Sequence, residues 1–192
     1  MKVLGTVVRL QVQRSPLKPG PRATRVYNPT PLLEVAALEV DPRGVVGQTA
    51  CGPVLDVHHA DHPDTRNRGS NGLSLLPGAH YARLRERFGE HMLDGVAGES
   101  LLLDAAAAPW TLDDLTGDLV LESTDGGLLP LTAPTVAAPC VEFTRFCLQR
   151  LPGPDDDELA AALEDLDGGA RGFYVTVGGT GRIEAGARLL RI

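Results

Sequence analysis

Lysine, aromatic residues and cysteine are all scarce in this 192-residue chain. Lys2 and Lys18 are its only lysines, and 25 acidic residues against 18 basic ones give a formal net charge of −7. Because nucleic-acid backbones bind basic surfaces, this charge balance excludes a general nucleic-acid coat protein. The three cysteines, Cys51, Cys140 and Cys147, are an odd number without CxxC spacing, so neither a disulfide framework nor a zinc ribbon is indicated. We therefore expect a protein of the reducing cytoplasm without a nucleic-acid partner.

Long apolar runs and the common catalytic motifs are also absent. Residues 1–16 lack the uninterrupted apolar stretch of a signal peptide, and no run approaches the roughly 18 residues of a membrane span. The sequence therefore predicts a soluble protein without a membrane partner. No GxSxG, HExxH or GxGxxG motif occurs, so serine hydrolase, zincin and Rossmann interpretations have no support.

What the chain does contain is enough apolar sequence for one domain. Hydrophobic residues make up 43% of it, which suffices for an ordinary core without disulfides. The 22 glycines and 15 prolines interrupt the chain so often that few helices can exceed about four turns. We therefore expect a single, mainly β domain over residues 1–192.

Local patterns predict short strands with two helices outside them. Alternating β-branched residues indicate strands near both ends of the chain, and helical spacing with terminal Gly residues indicates helices near 78–88 and 156–166. The alanine run 105–108 is too short to form a helix by itself. Two alternating segments joined by a Gly-rich turn in residues 171–192 predict a closing hairpin that buries Phe173, Val175 and Val177. Between Val45 and Gly72 the sequence predicts an irregular loop, and a loop of that length is usually functional or mobile.

This loop contains two groups of candidate ligands. Imidazoles and carboxylates crowd within nine residues, a competent ligand set for zinc or iron: Asp56, His58, His59, Asp61, His62 and Asp64. Pro63 argues against the helix that an HxxxH pair would need, so a polar loop that partly lines a pocket remains the alternative for His58. Arg66 and Arg68, beside Asn71, form a donor-rich segment suited to a phosphate, or else a solvated loop.

Among the cysteines, Cys140 is the candidate for chemistry. It directly follows a proline where the chain must change direction, and Arg145 lies five residues further on. A nucleophilic or metal-ligating cysteine needs thiolate character, which a neighbouring cation supplies. The alternative is a small buried hydrophobic residue. Cys147 lies in a core-like stretch, and Cys51 lies in a loop without an obvious partner.

The order of the motifs is similar to that of the MOSC family, named for the C-terminal domain of molybdenum cofactor sulfurase. GVVGQ at 44–48 resembles the family's glycine turn, DGVAGESLLLD at 94–104 its GEN motif, APC at 138–140 its cysteine, and the last 22 residues its final hairpin. The chain departs from the family pattern at Gln48, Ser100 and Ala187. The resemblance covers most of the chain and implies a stand-alone β-barrel domain, of the MOSC or pyruvate-kinase-barrel kind, with a few peripheral α-helices.

The resemblance also implies a function for the matching residues. Cys140 would ligate molybdenum in a bound molybdopterin, or carry sulfur as a persulfide for metallosulfur centres. Gly98, Glu99 and Ser100 match the GEN motif, and Arg68 or Arg145 would meet the cofactor's phosphate.

Enzyme class and partners depend on which role applies. The chain would be a molybdenum-dependent oxidoreductase, or a sulfur carrier between a cysteine desulfurase and a metalloenzyme acceptor. Pyridoxal phosphate belongs to the larger sulfurases of the family, and neither lysine here has the setting of a Schiff base. The alternative to both roles is a non-catalytic structural barrel with a buried cysteine.

Overall fold

The computed structural model describes residues 1–105 and 108–192, so positions 106–107 of the alanine run lie outside the described residues. Its strands, in chain order, are β1 (Lys2–Gln13), β2 (Leu32–Glu34), β3 (Ala37–Asp41), β4 (Gly44–Thr49), β5 (Gly52–Leu55), β6 (Leu73–Pro77), β7 (Leu101–Ala105), β8 (Leu119–Glu122), β9 (Leu128–Val136), β10 (Phe173–Val177), β11 (Gly181–Glu184) and β12 (Arg188–Arg191). The helices are α1 (Gly78–Phe88), α2 (Val141–Cys147) and α3 (Asp157–Asp165).

Seven strands close into a barrel, which confirms the mainly β expectation. Around the barrel the order is β1, β12, β8, β9, β10, β6 and β7, and β7 pairs with β1 again. All these neighbours are antiparallel except β6 and β7. Closure depends on β12, whose residues pair on one side with β1 and on the other with β8.

Apolar side chains fill the barrel. Alternate residues of the strands point inward and are fully buried, including Val7, Leu73, Leu75, Leu101, Leu103, Leu119, Leu121, Leu131, Phe173, Val175 and Leu189. On β10 the alternation leaves Tyr174 half-buried on the outer face. Because the interior is packed like other protein cores, a ligand must bind outside the barrel wall.

The segment predicted as an irregular loop is partly a hairpin, so that expectation is wrong for residues 45–55. Strands β4 and β5 pair there and join β3 and β11 in a second, four-stranded sheet. The glycines of this segment predict a break in regular structure, but Gly47 lies within β4, where the absence of a side chain allows close packing. A Cβ at Gly47 would lie 2.9 Å from a Val35 methyl and 3.0 Å from a Val12 methyl. The irregular part is confined to residues 56–72.

The predicted closing hairpin is also wrong. Strand β10 pairs with β9 and β6 in the barrel, whereas β11 pairs with β3 in the second sheet. The glycine-rich turn therefore carries the chain from one sheet to the other. Phe173, Val175 and Val177 are buried as expected, but by barrel neighbours distant in sequence.

The helices lie outside the barrel. Helices α1 and α3 lie within one residue of the predicted positions, and the Asp156 side chain caps α3 by accepting from the Leu159 N–H. Helix α2 was not predicted. It adds Phe143 and Cys147 to a second apolar cluster, with Tyr81 and Leu84 of α1, against the outer wall. Within the described part of the chain, each helix is too short or too polar to cross a bilayer.

Candidate functional site

A cavity of about 570 Å³ lies outside the barrel wall and contains Cys140. Four segments that are distant in sequence surround it: the chain after β1, the loop 56–72, the connection from β9 to α2, and the start of β10. Of the predicted site residues, His58, Arg68, Asn71 and Cys140 line this one cavity. The loop and the cysteine are therefore brought together by the fold.

The cavity is strongly cationic although the chain is acidic. Five of the chain's 18 basic residues line it, and we call them the cationic set: Lys18, Arg25, Arg66, Arg68 and Arg171. No aspartate or glutamate is among the lining residues described. Glu142 meets the edge of the set through a long, 3.9 Å contact with Arg25. Such a concentration of uncompensated positive charge attracts an anionic ligand.

The sulfur of Cys140 has two cationic neighbours. Lys18 Nζ lies 3.5 Å from Sγ, and Arg171 Nη1 lies 3.8 Å from it. The Arg171 guanidinium is held in place because it also donates to the Ala138 carbonyl at 3.3 Å and stacks over the Phe143 ring at 4.7 Å. Positive groups beside a sulfur are the setting of nucleophilic and metal-ligating cysteines.

The other two cysteines are in different environments. Cys147 is fully buried under α2, and burial raises the pKa of its thiol to about 12. Cys51 is exposed in the turn between β4 and β5. Neither lines the cavity, so the three thiols are chemically distinct.

Arg145 does not occupy the position expected for it beside the sulfur. Its Nη2 donates to the Gly153 carbonyl and, at 2.8 Å, to Asp155, and the residue does not line the cavity. Helix α2 causes this difference, because five residues make about 1.4 turns and place position 145 on a different face from position 140. Lys18 and Arg171 hold the cationic role instead.

The Gly98–Glu99–Ser100 segment lies behind the cavity wall and is not among its lining residues. The Gly98 carbonyl accepts from Gln13 Nε2 at 2.8 Å, and the Gln13 residue itself faces the cavity. Gly98 has φ +88°, and a Cβ there would lie 3.0 Å from both Gln13 and Leu17. The segment thus supports the wall through backbone contacts.

Glu99 is buried beneath this wall without a cationic partner among the salt bridges described. Tyr81 Oη lies 3.0 and 2.9 Å from its two carboxyl oxygens and donates to the carboxylate. Burial raises the pKa of Glu99 to about 7, and the hydrogen bond from Tyr81 opposes that rise. The carboxyl group therefore carries a proton through much of the acidic range.

The histidine and aspartate residues of the loop do not assemble a metal centre. Across residues 1–105 and 108–192, no three His, Cys, Asp or Glu side chains are arranged to hold a metal ion. His59 is buried and accepts from the Asp61 N–H, and His62 Nε2 contacts the Arg14 carbonyl. His58 alone among them reaches the cavity.

Asn71 organises the donor-rich segment. Its Oδ1 accepts from the Arg68 N–H at 2.7 Å, and its Nδ2 donates to the Arg66 carbonyl at 3.0 Å. These two bonds close the loop around a buried amide and leave both guanidinium groups at the cavity. The segment can therefore present two forked donors to one oxyanion.

A second cavity of about 550 Å³ has mixed charge. It lies between α1, α3 and Trp110, where Arg83 and Arg87 face Glu164 and Asp165. A 2.7 Å ion pair joins Arg87 to Asp165. Because its charges compensate one another and it contains no cysteine, this cavity lacks the features of the first.

Comparison with known proteins adds the fold relationship. No protein-family model matches the chain, and no curated protein matches it. Solved structures do match, and together with the closed barrel they support a MOSC-like fold.

Three of these structures illustrate the likeness. The YuaD protein from Bacillus subtilis is 13% identical over 96% of this chain and 93% of its own, with a TM-score of 0.56. YiiM from Geobacillus stearothermophilus is 21% identical over 97% of this chain and 74% of its own, with a TM-score of 0.55. YiiM from Escherichia coli is 16% identical over 83% of this chain and 64% of its own, with a TM-score of 0.52. At these identities the likeness concerns the fold.

Proposed function

We propose that the cavity binds the molybdenum cofactor, with Cys140 as the protein's ligand to the metal and the cationic set around the cofactor's phosphate. The observation that carries this proposal is a cysteine sulfur beside Lys18 and Arg171 in a cavity without lining carboxylates. The volume of about 570 Å³ falls within the roughly 300–1,000 Å³ of small-molecule sites.

The residues present fit this group better than a bare ion. A bare metal ion needs several protein ligands, and the described residues offer no group of three. A single thiolate suffices for a metal that arrives with its own chelating pterin. Forked guanidinium donors, as on Arg66 and Arg68, suit a phosphate. When bound, the cofactor would supply two-electron redox chemistry at its metal.

The chain's own residues position and shield such a ligand. Lys18 and Arg171 hold the Cys140 sulfur at the cavity surface through contacts of 3.5 and 3.8 Å. Tyr174 and Gln13 form part of the wall, and the packed barrel behind them excludes water from that side. Arg68 is exposed and lines the cavity, so its guanidinium would hold the phosphate where solvent also has access.

Metal and pterin analysis tests the proposal. The full chain is purified anaerobically from a host that makes the cofactor, and molybdenum and pterin are quantified. We expect molybdenum in the wild type and in the control Cys51→Ser, and a loss of roughly tenfold or more in Cys140→Ser. A wild type free of molybdenum and pterin contradicts the proposal.

The phosphate contacts have their own variants. Arg171→Ala and Arg68→Ala each remove a charge-assisted donor, and we expect each to lower cofactor retention roughly tenfold or more. Arg22→Ala is the matched control, because Arg22 is exposed and lies outside the cavity lining. Equal retention in all three variants would contradict the assigned role of the cationic set.

A sulfur-carrier role is the second candidate, because the same two cations would stabilise a persulfide anion on Cys140. In that role a desulfurase persulfide transfers its outer sulfur to the Cys140 thiolate and is released as a thiol, and a metalloenzyme accepts the sulfur. Incubation with a cysteine desulfurase and cysteine should then add about 32 Da to the wild type and nothing to Cys140→Ser. Absence of the adduct from the wild type rejects this role.

A further inference from the structure

His58 and Asp56 form a pair at the wall of the cationic cavity. We propose that this pair is a proton-transfer group for the cavity's ligand: His58 takes up a proton when an anion binds and exchanges it with the ligand through Nε2. The inference rests on the proposed function only in assuming that the cavity receives an anionic ligand.

The geometry fixes the tautomer of His58. Its Nδ1 lies 2.9 Å from Asp56 Oδ1, and the Asp56 carboxylate is buried. An ionised carboxylate only accepts, so Nδ1 carries the hydrogen and Nε2 is the ring nitrogen left for the cavity. A carboxylate in this position holds an imidazole in one orientation and stabilises the imidazolium when a proton arrives.

The charge of Asp56 is directed at the imidazole. Its Oδ2 accepts from the Gln13 N–H at 2.6 Å, and its Oδ1 also accepts from the His58 N–H at 2.8 Å. Among the ion pairs of the described residues, His58 is the one partner of Asp56, and it is charged only when protonated. The carboxylate is therefore held by neutral donors, and of its partners in the described residues His58 is the one that can take up a positive charge.

Two contacts of the backbone and one of the ring hold His58 in place. Asn67 Nδ2 donates to the His58 carbonyl at 2.7 Å. Gly44, with φ +132°, lets the loop approach so closely that a Cβ there would lie 3.0 Å from the same carbonyl and 2.7 Å from His59 Cα. On its other side the His58 ring lies 6.4 Å from the Tyr174 ring. The side chain is thus placed before any ligand binds, as an acid–base group requires.

The surrounding charges couple the proton to the anion. The charged and titratable groups that share the cavity with His58 are the cationic set, Tyr27, Tyr174 and Cys140, and Asp56 lies behind the ring. A bound anion in this cavity would stabilise the positive charge of a protonated imidazole. Ligand binding and protonation of His58 therefore favour each other, as linkage requires.

Sulfate is a suitable probe because it is an anion that does not titrate near neutral pH. Nitrogen NMR of the full, cofactor-free chain should show hydrogen on Nδ1 of His58 at neutral pH, and added sulfate should increase the protonated fraction. Hydrogen on Nε2 instead, or no response of the cavity resonances to sulfate, would overturn the inference.

Sulfate affinity at two pH values supplies the variant test. The wild type should bind sulfate roughly fivefold more tightly at pH 6 than at pH 8. His58→Gln should lose this pH dependence, and the matched control His62→Gln, outside the cavity lining, should keep it. Persistence of the dependence in His58→Gln overturns the inference.

Asp56→Asn should also lose the pH dependence while the Gln13 and Asn67 amide resonances report that the loop stays folded. His58→Gln decides the question if Asp56→Asn unfolds the loop. These measurements need no molybdenum. If the wild type contains no cofactor, the proposed function is refuted. The sulfate measurements still decide this inference, because they use the cofactor-free chain.

Discussion

Glu99 makes the stability of the protein depend on pH in a way that a single substitution can reveal. The residue is 4% exposed, and Tyr81 is its one side-chain hydrogen-bond partner in the described residues. Burial raises its pKa from 4.5 to about 7. Glu99→Gln keeps the shape of the group and mimics the protonated acid, because the amide can both donate to Tyr81 Oη and accept from it.

The direction in which Glu99 changes stability with pH follows from proton binding. The native state holds the Glu99 proton more tightly than the unfolded chain does, so this group contributes stability below pH 4.5 and loses that contribution as the pH rises to about 7. At about 1.36 kcal/mol for each pH unit, the loss amounts to roughly 3 kcal/mol. The glutamine variant has no such loss, since its side chain does not ionise.

Urea unfolding at pH 5 and pH 8 measures the effect. Relative to the wild type, Glu99→Gln should gain roughly 2–3 kcal/mol in free energy of unfolding between pH 5 and pH 8. Glu90→Gln is the matched control, because Glu90 is exposed, and it should change equally at both pH values. An equal difference at both pH values for Glu99→Gln as well would refute the reasoning.

The remaining predictions concern the cysteines, a glycine and the barrel closure. In a Cys51→Ser background, iodoacetamide should label Cys140 and spare the buried Cys147, as peptide mapping would show; equal labelling would contradict the assignment of Cys140. Gly172→Ala should cost roughly 2 kcal/mol or more, because φ is +103° and the new Cβ would lie 2.7 Å from the Leu75 carbonyl oxygen. Gly168→Ala, at φ +67° with open space, should cost less in the same melting experiment, and equal costs would exclude the contact as the cause. Leu189→Ala should cost roughly 2–5 kcal/mol in urea unfolding, and a cost below about 1 kcal/mol would show that β12 contributes little to closure.

The sequence predicts the class of fold and two of the helices because these depend on local patterns. Period-two alternation and frequent Gly and Pro indicate β structure, and the acidic first turn with Asp156 before it indicates α3. Helix α2 escapes prediction for a physical reason. Phe143 and Cys147 are spaced by four, as on a helix face, but residues 141–144 alternate apolar and polar as in a strand, and seven residues are too few to decide.

Pairing and site assembly depend on contacts between distant residues. Nothing near Gly178 in the sequence shows that β10 and β11 separate into different sheets. The loop and Cys140 could be proposed as one site from their residue types. Nothing in the sequence indicates that Lys18 and Arg171 contact the Cys140 sulfur, because they lie 122 and 31 positions away from it. Lys18 is distinctive only as one of two lysines.

The position of β12 between β1 and β8 sets an order of events during synthesis. The strand that closes the barrel leaves the ribosome after its two partners, so both partner edges stay open until then. The lining of the cavity is also completed late, because Lys18 is synthesised early and Arg171 late. The cationic neighbours of Cys140 are therefore complete only after Arg171 has been synthesised, and until β12 follows, the open strand edges can pair with other chains.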